Sequence, residues 1–106
     1  MYREIEPAEL ATWRDEGKEF VLLDVRDDDE LRAAAIEGAT HIPMVEIPQR
    51  AVELDKDATI AVLCHHGGRS ARVAQFLTMQ GYSNIYNVDG GIDAYSRIVD
   101  NSIPRY

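Results

Sequence analysis

Seven consecutive residues, Cys64-His65-His66-Gly67-Gly68-Arg69-Ser70, bring together a thiol nucleophile, two imidazoles, two glycines, a permanent cation and a hydroxyl. A loop of this composition, followed by a helix, suits a negatively charged centre. Inward-turned backbone N–H groups and the positive end of the helix would favour the thiolate form of Cys64, which is the nucleophilic form. Arg69 adds a fixed positive charge, and His65 or His66 would add another when protonated. Gly67 and Gly68 tolerate the backbone angles needed to turn several amides inward. Ser70 is placed to cap the helix, its hydroxyl alternatively reaching the sulfur or a bound oxyanion. Cys64 is therefore the candidate catalytic residue, with His65, His66, Gly67, Gly68, Arg69 and Ser70 as candidate substrate-binding residues. An isolated strand-end cysteine would read as an inert buried thiol; the glycines, the arginine and the helix start favour reactivity. His65 and His66 read equally as exposed loop residues that tune the local potential.

The elements that position this loop are legible on either side. "ATIAVLC" is an apolar, branched run that predicts a buried strand ending at Cys64, and Ser70 to Gln80 predicts a helix with Val73, Ala74, Phe76 and Leu77 on its apolar side. Upstream, Leu10 and Trp13 after Pro7 predict a short helix stopping at Gly17, "EFVLLDVR" a buried strand, and Asp28 to Ala35 a helix sharing Leu31, Ala34 and Ala35 on one face. "ATHIP" reads as a short strand or loop, and "VEIPQRAVEL" as a broken helix. "NIYNV" predicts a further strand, and Ile92 to Val99 a closing helix after Gly90-Gly91. Strands alternating with helices imply an α/β fold with a central parallel sheet and helices on both faces, and ligands in such sheets bind beyond the strands' carboxyl ends. Residues 1–106 read as a single domain.

Composition narrows the classes further. A hydrophobic content of 45% and a charged content of 28% describe an ordinary globular chain. The net charge of −8 argues against nucleic-acid or anionic-membrane partners, which call for clustered cations. No apolar stretch approaches the roughly 20 residues needed to span a bilayer. One cysteine forms no internal disulfide, and the charged amino terminus lacks a secretory signal's apolar core, so a cytoplasmic location is expected. His41 and a single cysteine are a thin inventory for zinc, so no metal is expected.

Around these residues the chain resembles the rhodanese family, from about Ile5 to Tyr95. The family's cysteine, glycine, arginine and serine or threonine are matched by Cys64, Gly67, Arg69 and Ser70. Its upstream signature is matched by Asp24-Val25-Arg26, Glu30, Gly38-Ala39 and Ile42-Pro43, and its downstream glycine pair by Gly90-Gly91. Ala35 and Glu37 stand where the family often has histidine and proline, and Tyr95 where it usually has tryptophan; these departures touch packing rather than chemistry. Asp24, Arg26 and Glu30 read as a supporting ion-pair network. The resemblance implies a rhodanese-like fold and sulfurtransferase activity. Cys64 would take a sulfane sulfur from thiosulfate or a persulfide, hold it as a persulfide, and pass it to cyanide, a thiol, a thioredoxin-like protein or a sulfur-carrier protein, with no cofactor. Phosphatases and arsenate reductases also hold a cysteine in an anion loop, but the former separate cysteine from arginine by five residues, against four here, and the latter usually resolve with a second thiol. A non-catalytic module that senses oxidation or binds a partner is the alternative from a different class.

Overall fold

In the computed structural model, which describes residues 1–106, five parallel strands form one sheet in the order β1-β5-β4-β2-β3. The strands are β1 Arg3–Ile5, β2 Val21–Asp24, β3 Thr40–His41, β4 Ile60–Leu63 and β5 Ile85–Val88. Between and after them run α1 Pro7–Asp15, α2 Asp28–Ala33, α3 Ile47–Arg50, α4 Gly68–Met79 and α5 Gly91–Ile98, with 3₁₀ turns flanking α3. No helix is long and apolar enough to cross a membrane.

Period-two alternation sorts the strand residues between two cores. Leu23, Ile60 and Val62 face one core with Val73, Ala74 and Leu77 of α4 and Ile47 of α3. Leu22, Ala61 and Leu63 face the other with Leu10 and Trp13 of α1 and Ile92 and Tyr95 of α5. Cys64 continues the Ile60–Val62 alternation onto the α4 face. All four residues of β4 are buried, as expected of a central parallel strand covered on both sides. The chain leaves β2 toward β3 at one edge and leaves β4 toward β5 on the other side. The loops after β2 and β4 therefore meet at the switch point where such sheets open a crevice.

Three sequence expectations needed correction. The strand β1 was not anticipated: only Ile5 of its three residues is buried, so no apolar pattern marks it, yet it pairs in parallel with β5. The helix expected to run to Ala35 ends at Ala33, with Ala34 extended and no buried residue within the helix; Ala34 is buried beyond its end and Ala35 is exposed. Arg26, fully buried, lies against this helix end: its Nη1 donates to the carbonyl of Glu30 at 3.3 Å and its Nη2 to that of the extended Ala34 at 2.9 Å. The helix expected to start at Ser70 starts two residues earlier, with Gly67 at φ +108° as its N-cap.

Arg26 is neutralised by Asp24 in a bidentate pair, Nε to Oδ1 at 2.9 Å and Nη2 to Oδ2 at 2.7 Å, with side chains 0% and 1% exposed. Removing one member strands the other charge out of water. Asp24→Ala is expected to lower the unfolding free energy by about 3–5 kcal/mol in urea titrations. A loss under about 1 kcal/mol, the scale of an exposed pair, would show that Arg26 does not depend on it.

Candidate active site

The loop begins where β4 ends, and its backbone is fixed from the opposite side by α5. The Ile92 N–H donates to the Cys64 carbonyl at 2.9 Å and the Asp93 N–H donates to the His65 carbonyl at 3.1 Å. These bonds draw the two carbonyls toward α5, and the Gly67 N–H turns inward to donate to Cys64 Sγ at 3.0 Å. So close an approach requires Gly91, because a Cβ there would sit 2.4 Å from the His65 carbonyl oxygen and 2.5 Å from that of Cys64. The Gly90-Gly91 pair noticed in the sequence is thus what lets α5 dock on the loop.

Cys64 itself is 1% exposed and lies at the N-terminal end of α4. Ser70, read first as a cap, does not cap: it is buried in the first turn, its Oγ 3.2 Å from Cys64 Sγ and 2.5 Å from Asn87 Oδ1. Arg69 lies at the rim with its side chain 32% exposed and is held by Glu30 in a two-point pair, Nη1–Oε1 at 2.6 Å and Nη2–Oε2 at 2.8 Å. Glu30 thus joins α2 to the loop, while the Asp24–Arg26 pair lies beneath it. The supporting trio divides into two pairs, linked by Arg26 bonding the Glu30 carbonyl and by Tyr106, whose hydroxyl donates to Glu30 Oε2 at 2.8 Å and accepts from Arg26 Nη1 at 2.9 Å.

The two histidines form a stack with Tyr106. Tyr106 lies flat on His65, with centroids 3.9 Å apart and planes 7° apart, and His66 lies 3.8 Å from His65 at 30°. Burial, followed by the neighbouring His66, pushes His65 below its ordinary value, so the protonated form anticipated as a second cation is disfavoured there. Ring nitrogens of His65 and His66 come within 4.8 Å of a carboxylate oxygen of Asp93, the nearest approach to a metal-ligand set. Asp93 is also paired with Arg105 at 2.9 Å, so its carboxylate is already engaged. His41, the other histidine, is engaged away from the loop, its Nε2 2.6 Å from the Arg26 carbonyl.

The residues that sequence reasoning missed are Asn87, Glu4, Asp93 and Tyr106. Asn87 lay within a segment correctly read as a strand, but a polar residue in "NIYNV" was the available sign that one position serves something other than the core.

The Rhodanese-like domain family matches residues 6–98. The chain is 35% identical over 94 residues to the thiosulfate sulfurtransferase GlpE of Pseudomonas entomophila, covering 89% of this chain and 84% of that protein. It is 40% identical over 92 residues to the chloroplastic rhodanese-like/PpiC domain-containing protein 12 of Arabidopsis thaliana, covering 83% of this chain but only 31% of that longer protein. A crystal structure of a rhodanese-like domain protein from Staphylococcus aureus superposes with a TM-score of 0.85 at 31% identity over 98% of both chains.

The Glu30–Arg69 pair makes a prediction for acid stability. The Arg69 hydrogen bonds hold Glu30 from the ordinary 4.5 down to about 2. A carboxylate with a depressed folded value contributes stability above its unfolded value, and that contribution is lost as pH falls through the folded one. Urea unfolding from pH 5 to about 2 should therefore show wild type losing stability more steeply than Glu30→Gln, since the variant lacks this titration. Parallel curves would contradict the pair's contribution.

Proposed function

The chain belongs to the rhodanese family, and on that premise we propose that it is a sulfurtransferase working through a persulfide on Cys64. The observation that carries this reading is a lone thiol at a strand end, cradled by the Gly67 N–H at 3.0 Å and the first turn of α4, with an arginine at the rim.

In the first half-reaction the Cys64 thiolate attacks the outer sulfur of thiosulfate. The Sγ–S bond forms, the donor's S–S bond breaks, and sulfite leaves with the bonding pair; a persulfide donor releases a thiolate instead. The new terminal sulfur carries the negative charge into the loop, where amides and the helix end stabilise it. In the second half-reaction a thiophilic acceptor attacks that terminal sulfur and Cys64 departs as thiolate. Two of the five N–H donors of Arg69 are committed to Glu30; the rest remain to orient a donor's oxyanion. Carrying sulfur in this way requires no cofactor. Cyanide, small thiols, thioredoxin-like proteins and sulfur-carrier proteins are acceptors of suitable chemistry, and a reducing compartment such as the cytoplasm keeps a lone thiol available.

The four-residue spacing between Cys64 and Arg69 supports this reading over phosphate-monoester chemistry, because the smaller ring suits one sulfur better than a tetrahedral phosphate.

Steady-state thiocyanate formation from thiosulfate and cyanide tests the proposal. Wild type is expected to turn over repeatedly, Cys64→Ser to be inactive, and Arg69→Leu to raise the KM for thiosulfate about tenfold, the scale of one lost charge-assisted contact. Thiocyanate formation by Cys64→Ser at the wild-type rate would remove Cys64 from the mechanism, and absence of turnover by wild type with thiosulfate and with persulfide donors would overturn the transferase reading.

A further inference from the structure

The sulfur of Cys64 has two polar neighbours inside the fold. The Gly67 N–H donates to it, and Ser70 Oγ lies 3.2 Å away, a contact in which either atom is able to donate. The direction of that contact is set further along a chain of hydrogen bonds. Asn87, on β5, is 4% exposed, and its Nδ2 lies 3.1 and 3.2 Å from the two carboxylate oxygens of Glu4 and 3.3 Å from the Gly67 carbonyl. An ionised carboxylate and a carbonyl only accept, so the NH2 group must face them, and Oδ1 must be the atom 2.5 Å from Ser70 Oγ. Oδ1 also only accepts. Ser70 has one proton, and it is given to Asn87. What Ser70 offers to Cys64 is a lone pair.

A thiol satisfies that arrangement by donating S–H to Ser70 Oγ while accepting from the Gly67 N–H. A thiolate does not: it would face the Ser70 lone pair, unless Ser70 turned its proton to the sulfur and left the buried Asn87 Oδ1 unpaired, at the cost that attaches to a buried acceptor. We propose that Asn87, oriented by Glu4 across the β1–β5 pairing, is a positioning residue that withholds Ser70's proton from Cys64 and so holds the resting sulfur as a thiol. The register supports this, since Glu4 stands directly opposite Asn87. On ionisation the Sγ proton leaves to solvent while the Ser70 hydroxyl keeps its proton in the hydrogen bond to Asn87 Oδ1. The proposal rests on Cys64 being the working thiol, but its readout requires no sulfur transfer.

Other charged and titratable groups lie in the loop and against it. They are His65 and His66 in the loop, Arg69 of α4 with its partner Glu30 of α2, Asp93 of α5 with Arg105, and Tyr106 on the His65 ring. They are common to all the variants below, so differences between variants report the relay.

The test is the pH profile of thiolate ultraviolet absorbance, taken as the difference from the matching protein carrying Cys64→Ser to remove tyrosine ionisation. In Asn87→Leu, Ser70 is free to donate to the thiolate, and the half-point of the profile should move down by about one pH unit, a tenfold change in the thiolate-to-thiol ratio. In a Ser70→Ala background the same Asn87→Leu change should move it by less than a third of that, because Asn87 acts through Ser70. No shift, an upward shift, or an equal shift in both backgrounds would overturn the proposal. If Asn87→Leu does not fold, Glu4→Gln/Asn87→Asp keeps the shape and an acceptor facing Ser70. Its half-point should stay at or above that of wild type, and a downward shift there would overturn the proposal. A profile that behaves as expected in a protein that forms no thiocyanate would leave the relay standing and dismiss the transferase reading alone.

Discussion

Two hydrogen bonds from the start of α5, from the Ile92 and Asp93 amides to the carbonyls of Cys64 and His65, hold the site in shape. A strand end must place its last carbonyls somewhere. Had they turned inward, the loop would present oxygen to the sulfur and repel any negative charge on it. Drawn toward α5, they leave the inside of the loop to an N–H group and a helix start. The requirement then passes outward. It demands a glycine at position 91, where any Cβ would collide with backbone at 2.4–2.5 Å. It also demands that α5 be packed firmly, which Ile92 and Tyr95 achieve in the core they share with Leu10 and Trp13.

Electrostatics organises the other side of the loop. Asp24 anchors Arg26, Arg26 donates to the carbonyls of Glu30 in α2 and of Ala34 just beyond it, and α2 in turn presents Glu30 to Arg69. The arginine at the rim is therefore held in place by two hydrogen bonds, and part of its charge is balanced by Glu30. Tyr106 ties this assembly to the histidine stack through one hydroxyl and one ring face.

Much of this was legible in the sequence, for identifiable reasons. The run from Ile60 to Leu63 is apolar at every position, so β4 and the placement of Cys64 at its end were readable, and the spacing of Val73, Ala74 and Leu77 made α4 readable. What escaped depended on partners distant in the chain. Ser70 looked like a cap because serine favours that position, but its hydroxyl is claimed by Asn87, seventeen residues away. Residues Arg3–Ile5 bury one side chain and so carry no strand pattern; pairing with β5 makes them a strand. The helix ends at Ala33 where the buried Arg26 bonds the carbonyl of the extended Ala34, a tertiary contact that local propensity does not encode.

Intact-mass measurement of the reduced protein after exposure to thiosulfate tests whether Cys64 receives a sulfur atom and gives it up again, as proposed. A gain of about 32 Da is expected, one sulfur held covalently, absent in Cys64→Ser and removed by cyanide. A protein that gains no such mass from thiosulfate or from a persulfide donor, or that gains it equally without Cys64, does not carry sulfur on this thiol.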